Sequence, residues 1–584
     1  MKKLLFIIPM HISFDSFLKP AHNSRTFTKT DGKNYNSLST DLPLGALSMS
    51  AYLKKHVEID VQLVDFNAEI NSLTSFDYIN FRECCENIIT NKYINNSINF
   101  DFIGISSLFS PSYNNFLDCG FVSRKLFPKA FIIGGGNIPT NSYESIYKSE
   151  EANCFDALCY GEGEKPLLEL ILAEDKNQYL KNSKQWITKD KLFSQNELLM
   201  LEHNFIEELD EIPFFDYDLC DFDKHASNQV SSSFHNVNNK RGFHIMTSRG
   251  CPYLCTFCAS HKTHGRKMRF HSLERIKEDL GILVTKYNAG TIIFQDDHLM
   301  SSKDRVYSIL EIIKSYDLES LYQNGLTLYA LDLEMLTAFY QAGVRHLVLP
   351  VESGSERTLK ELMKKPLKFR ISEQVARDCR ELGIYTNTNI LIGMPGERVF
   401  DLDEGRINLR KVSTNWFNIA CASPIVGSDM HKTALDNNYI KINNLGSDYR
   451  TASIQTEDFT SDFIQDYQYR MNLELNFVNN NDIKVGEYKV ALMAFDNVIR
   501  IRPDHAFAHY YAAICYKALN EQEQMKEHYS IFKVHCNSNF WIKWVNFFEL
   551  VVNEADFLKL SLTAPPIDRL FNLCSSKILA DQSE

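Results

Sequence analysis

At 584 residues the chain is longer than one hydrophobic core usually supports, and its 44% hydrophobic content is that of an ordinary globular protein, so two to four domains are expected. A net charge of −12 and a pI near 5.8 argue against a broad phosphate-binding surface and disfavour nucleic acid as a partner. No apolar run approaches the roughly 18 residues of a membrane-spanning helix, and the fourteen cysteines are too sparse for a disulfide scaffold; together they predict a soluble protein of the reducing cytoplasm.

The opening Met-Lys-Lys and the apolar run Leu4 to Met10 lack the small-residue cleavage site of a signal peptide and read as a buried first strand. Residues 1–175 then alternate β-rich runs, at Leu4–Ile8, Val61–Phe66, Phe102–Ser106, Phe131–Ile133 and Ala157–Tyr160, with helical segments such as Leu44–His56 and Tyr113–Phe127. That alternation implies βαβ units and a Rossmann-like, doubly wound parallel sheet. Residues 176–240, polar and punctuated by Leu209-Asp-Glu-Ile-Pro-Phe-Phe-Asp216, read as a linker.

A second βα series occupies residues 241–445. Strands are expected at His244–Thr247, Thr291–Gln295, Gly325–Tyr329, His346–Val351, Thr388–Ile392 and Phe417–Cys421, enough for a partial (β/α)6 barrel. Leu273, Ile276, Leu280, Leu283 and Tyr287 share one helical face, as an outer barrel helix requires. Residues 446–481 read as a connector, 482–550 as helical repeats and 551–584 as a tail. Ala491, Phe495, Val498 and Pro503, then Ala513, Tyr516, Met525, Tyr529 and Phe532, resemble tetratricopeptide units, with Ala491 and Met525 set 34 residues apart. Generic helical hairpins would give a similar pattern. So few repeats must lean on the barrel or on the aromatic run Phe540, Trp541, Trp544, Phe547 and Phe548.

Eleven cysteines, Cys84, Cys85, Cys119, Cys154, Cys159, Cys220, Cys379, Cys421, Cys515, Cys536 and Cys574, read as small buried apolar residues. The other three stand together in Thr247-Ser-Arg-Gly-Cys251-Pro-Tyr-Leu-Cys255-Thr-Phe-Cys258, where a strand opens into a loop. Three thiolates can hold three irons of a cubane and leave the fourth iron open to a ligand. A structural zinc site, completed by His261 or His264, is the alternative. Cys251-x-x-x-Cys255-x-x-Cys258, with Phe257 before the last cysteine, resembles the signature of the radical S-adenosylmethionine superfamily.

That resemblance implies a four-iron, four-sulfur cluster on Cys251, Cys255 and Cys258, whose open iron is chelated by the methionyl amine and carboxylate of S-adenosylmethionine. One electron, from an external donor such as flavodoxin or ferredoxin, then releases a 5′-deoxyadenosyl radical. Further motifs follow in order at strand ends. Phe294-Gln-Asp-Asp297 resembles the family's motif near the cofactor amine, making Asp296 and Asp297 candidates; Val351-Glu352-Ser353-Gly354 resembles the ribose and methionyl contact; Ile392-Gly393-Met-Pro395-Gly396-Glu397 resembles the turn beside the adenine. Arg249 and Arg269 also resemble family positions, though either could be a solvated ion-pair partner.

A Rossmann-like sheet ahead of such a barrel resembles the cobalamin-binding subgroup of the superfamily. The matching stretches are Pro43-Leu44-Gly45-Ala46-Leu47, Val64-Asp65, Gly134-Gly135-Gly136, Tyr160-Gly161-Glu162-Gly163-Glu164 and Leu209-Asp210-Glu211-Ile212-Pro213. Leu44, Gly45, Asp65, Gly134, Gly135, Gly136, Gly161 and Glu162 are therefore the expected cobalamin contacts. A nicotinamide dinucleotide fits less well, because Ile7-Ile8-Pro9-Met10 stands where Gly-x-Gly-x-x-Gly would be; a sheet that has lost its ligand is another alternative. Asp-x-His-x-x-Gly is missing too, with Asp65-Phe-Asn67 in the comparable place, which implies cobalt bound without a protein histidine.

The resemblance spans about residues 1 to 440 and implies a methyltransferase acting on an unactivated carbon or phosphorus centre of a substrate that the motifs leave unnamed. The alternatives are a cobalamin-containing radical enzyme that rearranges, cyclises or oxidises without methyl transfer, and a zinc-stabilised scaffold that recruits a protein partner through its repeats.

Overall fold

The computed structural model describes residues 1–20, 26–194, 199–225, 241–440 and 451–560. The amino-terminal unit is a six-stranded sheet of β1 (Lys2–Ile8), β2 (Ile59–Asp65), β3 (Phe102–Ser106), β4 (Phe131–Gly135), β5 (Ala157–Cys159) and β6 (Trp186–Ile187), in the order β2-β1-β3-β4-β5-β6. Leu4 to Ile8 are buried without alternation, as befits a parallel strand covered by helices on both faces. β1 to β5 are parallel, and the chain reverses direction across the sheet between β1 and β3. In such sheets ligands bind beyond the carboxyl ends of the strands at that switch point.

The stretch read as a linker is structured. β6 pairs antiparallel with β5, burying Trp186 and Ile187, and Ile206, Leu209, Ile212, Phe215 and Tyr217 join the core of the second unit. Its polar composition hides these widely spaced apolar residues; residues 195–198 and 226–240 of that stretch lie outside the described residues.

The second unit is a partial barrel made of two parallel three-stranded sheets, β7 (Arg241–Ile245), β8 (Ala289–Phe294) and β9 (Glu319–Tyr322), then β10 (His346–Glu352), β11 (Tyr385–Ile392) and β12 (Trp416–Cys421), with β9 beside β10. The third strand differs from expectation. Gly325 has φ +79°, and a Cβ there would stand 2.7 Å from the Asp296 carbonyl oxygen, so Gly325–Tyr329 forms a tight turn and a short 3-10 segment instead of a strand. The helix Leu273–Tyr287 covers the barrel as its periodicity predicts: Ser272 caps its start by accepting from Arg275 N, and Asn288 ends it in the left-handed region.

The connector is a helix, Ser461–Leu473, lying on β12 and burying Ile464, Tyr467 and Met471 in the barrel core. Just beyond it Glu474, 1% exposed, accepts from Arg406 at 2.9 Å and from Arg410. Helices Tyr488–Ile501, Ala506–Ala518 and Gln522–His535 then pack in series, and Trp541, Trp544 and Phe548 fill their common core. Residues 561–584, and Cys574 among them, lie outside the described residues; the other ten isolated cysteines are buried. No helix among the described residues is long and apolar enough to cross a membrane.

Ending the chain after residue 440 is expected to expose the surface under Ile464, Tyr467 and Met471 and to remove Glu474 from Arg406, which keeps Asp403. Solubility and the thermal midpoint of the shortened protein both fall; equal stability, with the separate helical segment melting cooperatively alone, would make the tail an independent module.

Candidate active site

The cysteine loop springs from the end of β7 and is closed by a two-residue hairpin, Ser248–Arg249 against Arg269–Phe270. Gly250 (φ +94°) is required at its base, since a Cβ there would meet the Lys267 carbonyl oxygen at 2.3 Å. Thr256 ties the loop across the barrel: its N–H donates to Met363 O (3.0 Å), its hydroxyl to Leu362 O (2.6 Å), and its carbonyl accepts from Met430 N (2.8 Å).

Cys251, Cys255 and Cys258 line one cavity of about 370 Å³, with Phe257, Asp297 and Glu352 on its walls. Burial, then the neighbouring Cys258, Asp297 and Cys255, push the Cys251 thiol up to about 12, so a positively charged centre is needed to hold it as a thiolate. His261 lines the same cavity, whereas His264, the other residue considered as a zinc ligand, directs Nδ1 to Glu162 at 2.8 Å.

The two adjacent aspartates do different work. Asp296 is fully buried and accepts from Thr247 N–H, Thr247 hydroxyl (2.7 Å) and Ser248 hydroxyl (2.5 Å), welding the end of β7 to β8. Asp297 Oδ2 is buried in the cavity wall with no hydrogen-bond partner, an orphan acceptor suited to an ammonium group. Glu352 sits at φ +71° beside a register shift in β10, an uncommon backbone state for a side-chain-bearing residue. Burial raises its pKa against the pull of Lys365, whose amine is 3.6 Å away.

Ser353, Gly393 and Pro395 are not on the cavity wall. Ser353 holds its own turn by accepting from Ser355 N; Gly393 and Met394 donate to Glu397, and Gly393 packs under Ile464 of the connector helix.

A second cavity, of about 300 Å³, lies between the carboxyl edge of the amino-terminal sheet and the barrel, lined by Leu44, Gly45, Gly134, Gly135, Gly136, Gly161 and Glu162. The glycines are not equivalent. A Cβ on Gly134 would strike Phe116 and Leu158 at 2.6 Å, and one on Gly136 (φ +96°) would strike Ser107 O at 2.5 Å, so packing alone requires both. Gly45 has nothing within 4 Å, and the nearest atom to Gly135 is Cys159 Cβ at 4.0 Å; these two present bare backbone to open space, a cradle that a ligand can enter.

Asp65 lies off this cavity, its Oδ1 capping the helix Phe66–Ser72 and its Oδ2 3.3 Å from His225 Nε2. Glu162 reaches the cavity, but its carboxylate is held by Arg249 (3.2 Å), Arg269 (2.5 Å) and His264, with Arg249 also on Glu164 at 2.8 Å. Neither arginine is solvated; the network ties the loop after β5 to the hairpin under the cysteines.

Gln295, Lys365, Asn389 and His11 were not singled out by the sequence. Gln295 lines both cavities and so marks where they meet. It stands inside the quoted Phe294-Gln-Asp-Asp297 motif, a visible signal, whereas Asn389 is one of four successive polar residues of β11, Thr386 to Asn389, with nothing in the sequence to single it out. His11 follows β1 on the cavity wall, edge-on to Phe109.

A family model described as the radical SAM superfamily matches residues 245–404, and one for a B12-binding domain matches residues 39–171. The chain is 26% identical over 402 residues to an uncharacterised methyltransferase of Pyrococcus horikoshii, covering 69% of this chain and 80% of that one. It is 26% identical over 367 residues to the cytidylyl-2-hydroxyethylphosphonate methyltransferase of Streptomyces wedmorensis, covering 58% and 67%. The structure of the cobalamin-dependent S-adenosylmethionine radical enzyme OxsB shares its fold, with TM-score 0.57 at 15% identity over 98% of this chain and 84% of that one. The chain thus joins a B12-binding domain, built on the amino-terminal sheet, to a radical SAM domain built on the partial barrel.

Proposed function

We propose that this protein is a cobalamin-dependent radical S-adenosylmethionine methyltransferase acting on an unactivated carbon or phosphorus centre. The observation that carries the reading is Gln295, common to the cysteine-lined and the glycine-lined cavities, because two cofactors that share a reaction must open on one space. The methyltransferases among the relatives support methyl transfer over other radical outcomes.

Cys251, Cys255 and Cys258 would hold the cluster; Phe257, Asp297 and Glu352 would meet S-adenosylmethionine; Leu44, Gly45 and Gly135 would face cobalamin. When bound, the cluster with S-adenosylmethionine supplies a 5′-deoxyadenosyl radical, and cobalamin supplies a transferable methyl group. Asp297 would accept from the methionyl ammonium, Lys365 holds Glu352 at the cavity wall, and the buried Glu162 network fixes the loop so that the two cavities keep their relative position. An electron donor and a substrate complete the system, and a reducing cytoplasm suits thiolate ligands.

The helices Tyr488–Ile501 and Gln522–His535 both start and end 34 residues apart, with Ala491, Phe495 and Val498 equivalent to Met525, Tyr529 and Phe532. This supports a tetratricopeptide-like reading of the tail, and with it a role in selecting a substrate or a protein partner. In this reading the B12-binding unit runs through β6 at Trp186–Ile187, the barrel from β7 to β12, and the helical part from the connector helix Ser461–Leu473 through Gln522–His535.

Anaerobic reconstitution with iron, sulfide and hydroxocobalamin tests the reading. Wild-type protein is expected to retain both cofactors through gel filtration. Gly135→Phe places a ring in the open cradle and is expected to weaken cobalamin binding about tenfold or more while leaving iron content unchanged. Cobalamin absorbance retained equally by this variant would remove Gly135 from the site, and none retained by wild type would sink the cobalamin assignment.

A further inference from the structure

The cysteine-lined cavity also continues into a chamber of about 600 Å³ that shares Glu352 and Asn389 with it. One wall is the barrel interior. Along β12, Trp416, Asn418 and Ala420 alternate with the buried Phe417, Ile419 and Cys421, and the first three open on the chamber. The facing wall comes from the carboxy-terminal region, with Gln468, Tyr469 and Asn472 on the connector helix and Phe477 and His505 beyond it.

We propose that this chamber binds the methyl-accepting substrate, and that the substrate is a heteroaromatic ring compound; the methyl transfer itself rests on the function proposed above. The volume is that of a small-molecule pocket, and the shared Glu352 places the chamber beside the cysteine loop. Trp416 and Tyr469 give it aromatic faces, and Phe477, 1% exposed and stacked on Phe495 and on His505 at 5.0 Å, backs the wall behind Trp416.

Its polar groups are mainly uncharged amides. Asn418 Nδ2 donates to Asn389 Oδ1 at 3.1 Å, and Gln468 Nε2 donates to Ile419 O at 2.6 Å, leaving the Gln468 carbonyl oxygen to accept from a ring N–H. The charged residues on the wall already have counter-ions, Glu352 in Lys365 and Arg502 in Asp504. Aromatic faces with amide edges select a flat ring that carries hydrogen-bonding atoms over a saturated or strongly charged molecule.

Saturation-transfer NMR on the full chain, with indazole as the heteroaromatic probe and cyclohexanol as the saturated control, tests the assignment. Indazole is expected to receive saturation from wild type, and cyclohexanol little. Ala420→Phe, which fills the chamber, and Trp416→Ala, which removes a wall, are each expected to weaken indazole binding by about tenfold. Far-UV circular dichroism and melting curves report on folding, and the two-probe comparison on wild type stands if one variant misfolds. Equal transfer to both probes, or indazole binding unchanged in both variants, overturns the proposal. Cleavage of S-adenosylmethionine by the reconstituted wild type, without any ring compound, is read separately: its absence sinks the radical reading and leaves the binding result in place.

Discussion

Replacing Cys255 with alanine is expected to abolish cleavage of S-adenosylmethionine, with the yield of 5′-deoxyadenosine falling roughly a thousandfold or more. The reason is stoichiometric: three cysteines face the cavity, and a cubane that keeps one iron open needs all three. The fold does not depend on the thiol, because the loop is anchored by the neighbouring Thr256 and by the hairpin beneath it. Iron content therefore falls with activity while the melting temperature of the cofactor-free protein stays that of wild type. Wild-type cleavage by Cys255→Ala overturns the ligand assignment, and a collapsed melt makes the cysteine structural.

Glu162→Ala is expected to produce the largest loss of stability. Its carboxylate is 3% exposed and answers Arg249, 6% exposed, and Arg269, 2% exposed; removing it leaves the buried Arg269 without a carboxylate and Arg249 with Glu164 alone. Such losses run to about 3–5 kcal/mol. Burial pushes the Glu162 pKa up, but Arg249, His264 and Arg269 outweigh it and hold the carboxyl well below the usual range.

The pH dependence follows from the signs. A depressed carboxyl contributes fully above its unfolded value, about 4.3, and loses its contribution as pH falls below that. His264 is shifted the other way: burial lowers its pKa, but the Glu162 hydrogen bond and the charge of Asp297 raise it further. Its share is therefore complete below about 6.5 and fades as pH rises through the folded value. The stability gap between wild type and Glu162→Ala, from denaturant melts, is thus widest between about pH 5 and 6.5 and narrows on both sides. A gap independent of pH would remove the network from the domain contact.

The strands of the amino-terminal sheet were legible because parallel strands covered on both faces are unbroken apolar runs, as Leu4 to Ile8 are. The third barrel strand was not, because Glu319-Ser-Leu-Tyr322 is short and mixed, while Gly325-Leu-Thr-Leu-Tyr329 alternates like a strand and turns instead around a glycine at positive φ. The cysteine triplet was legible because its spacing is local. What each carboxylate does was not: Asp296 and Asp297 are neighbours in sequence, and only the fold shows that one is spent on Thr247 and Ser248 while the other keeps an unpartnered oxygen. The ion pairs of Asp65 and Glu162 were not legible either, since His225, Arg249 and Arg269 reach them from distant segments. The chamber wall at Gln468 to His505 could not be read from sequence at all, because it exists only once the connector helix lies on β12.

The most direct measurement is a single anaerobic incubation of wild type, loaded with iron, sulfide and hydroxocobalamin, with methyl-deuterated S-adenosylmethionine and a reductant, analysed by mass spectrometry. Two products of the same cosubstrate are expected together: 5′-deoxyadenosine from reductive cleavage, and S-adenosylhomocysteine with the deuterated methyl recovered on cobalamin. S-adenosylhomocysteine and deuterated methylcobalamin both missing, beside normal 5′-deoxyadenosine, would contradict methyl transfer, and the absence of both nucleoside products would contradict the radical enzyme itself.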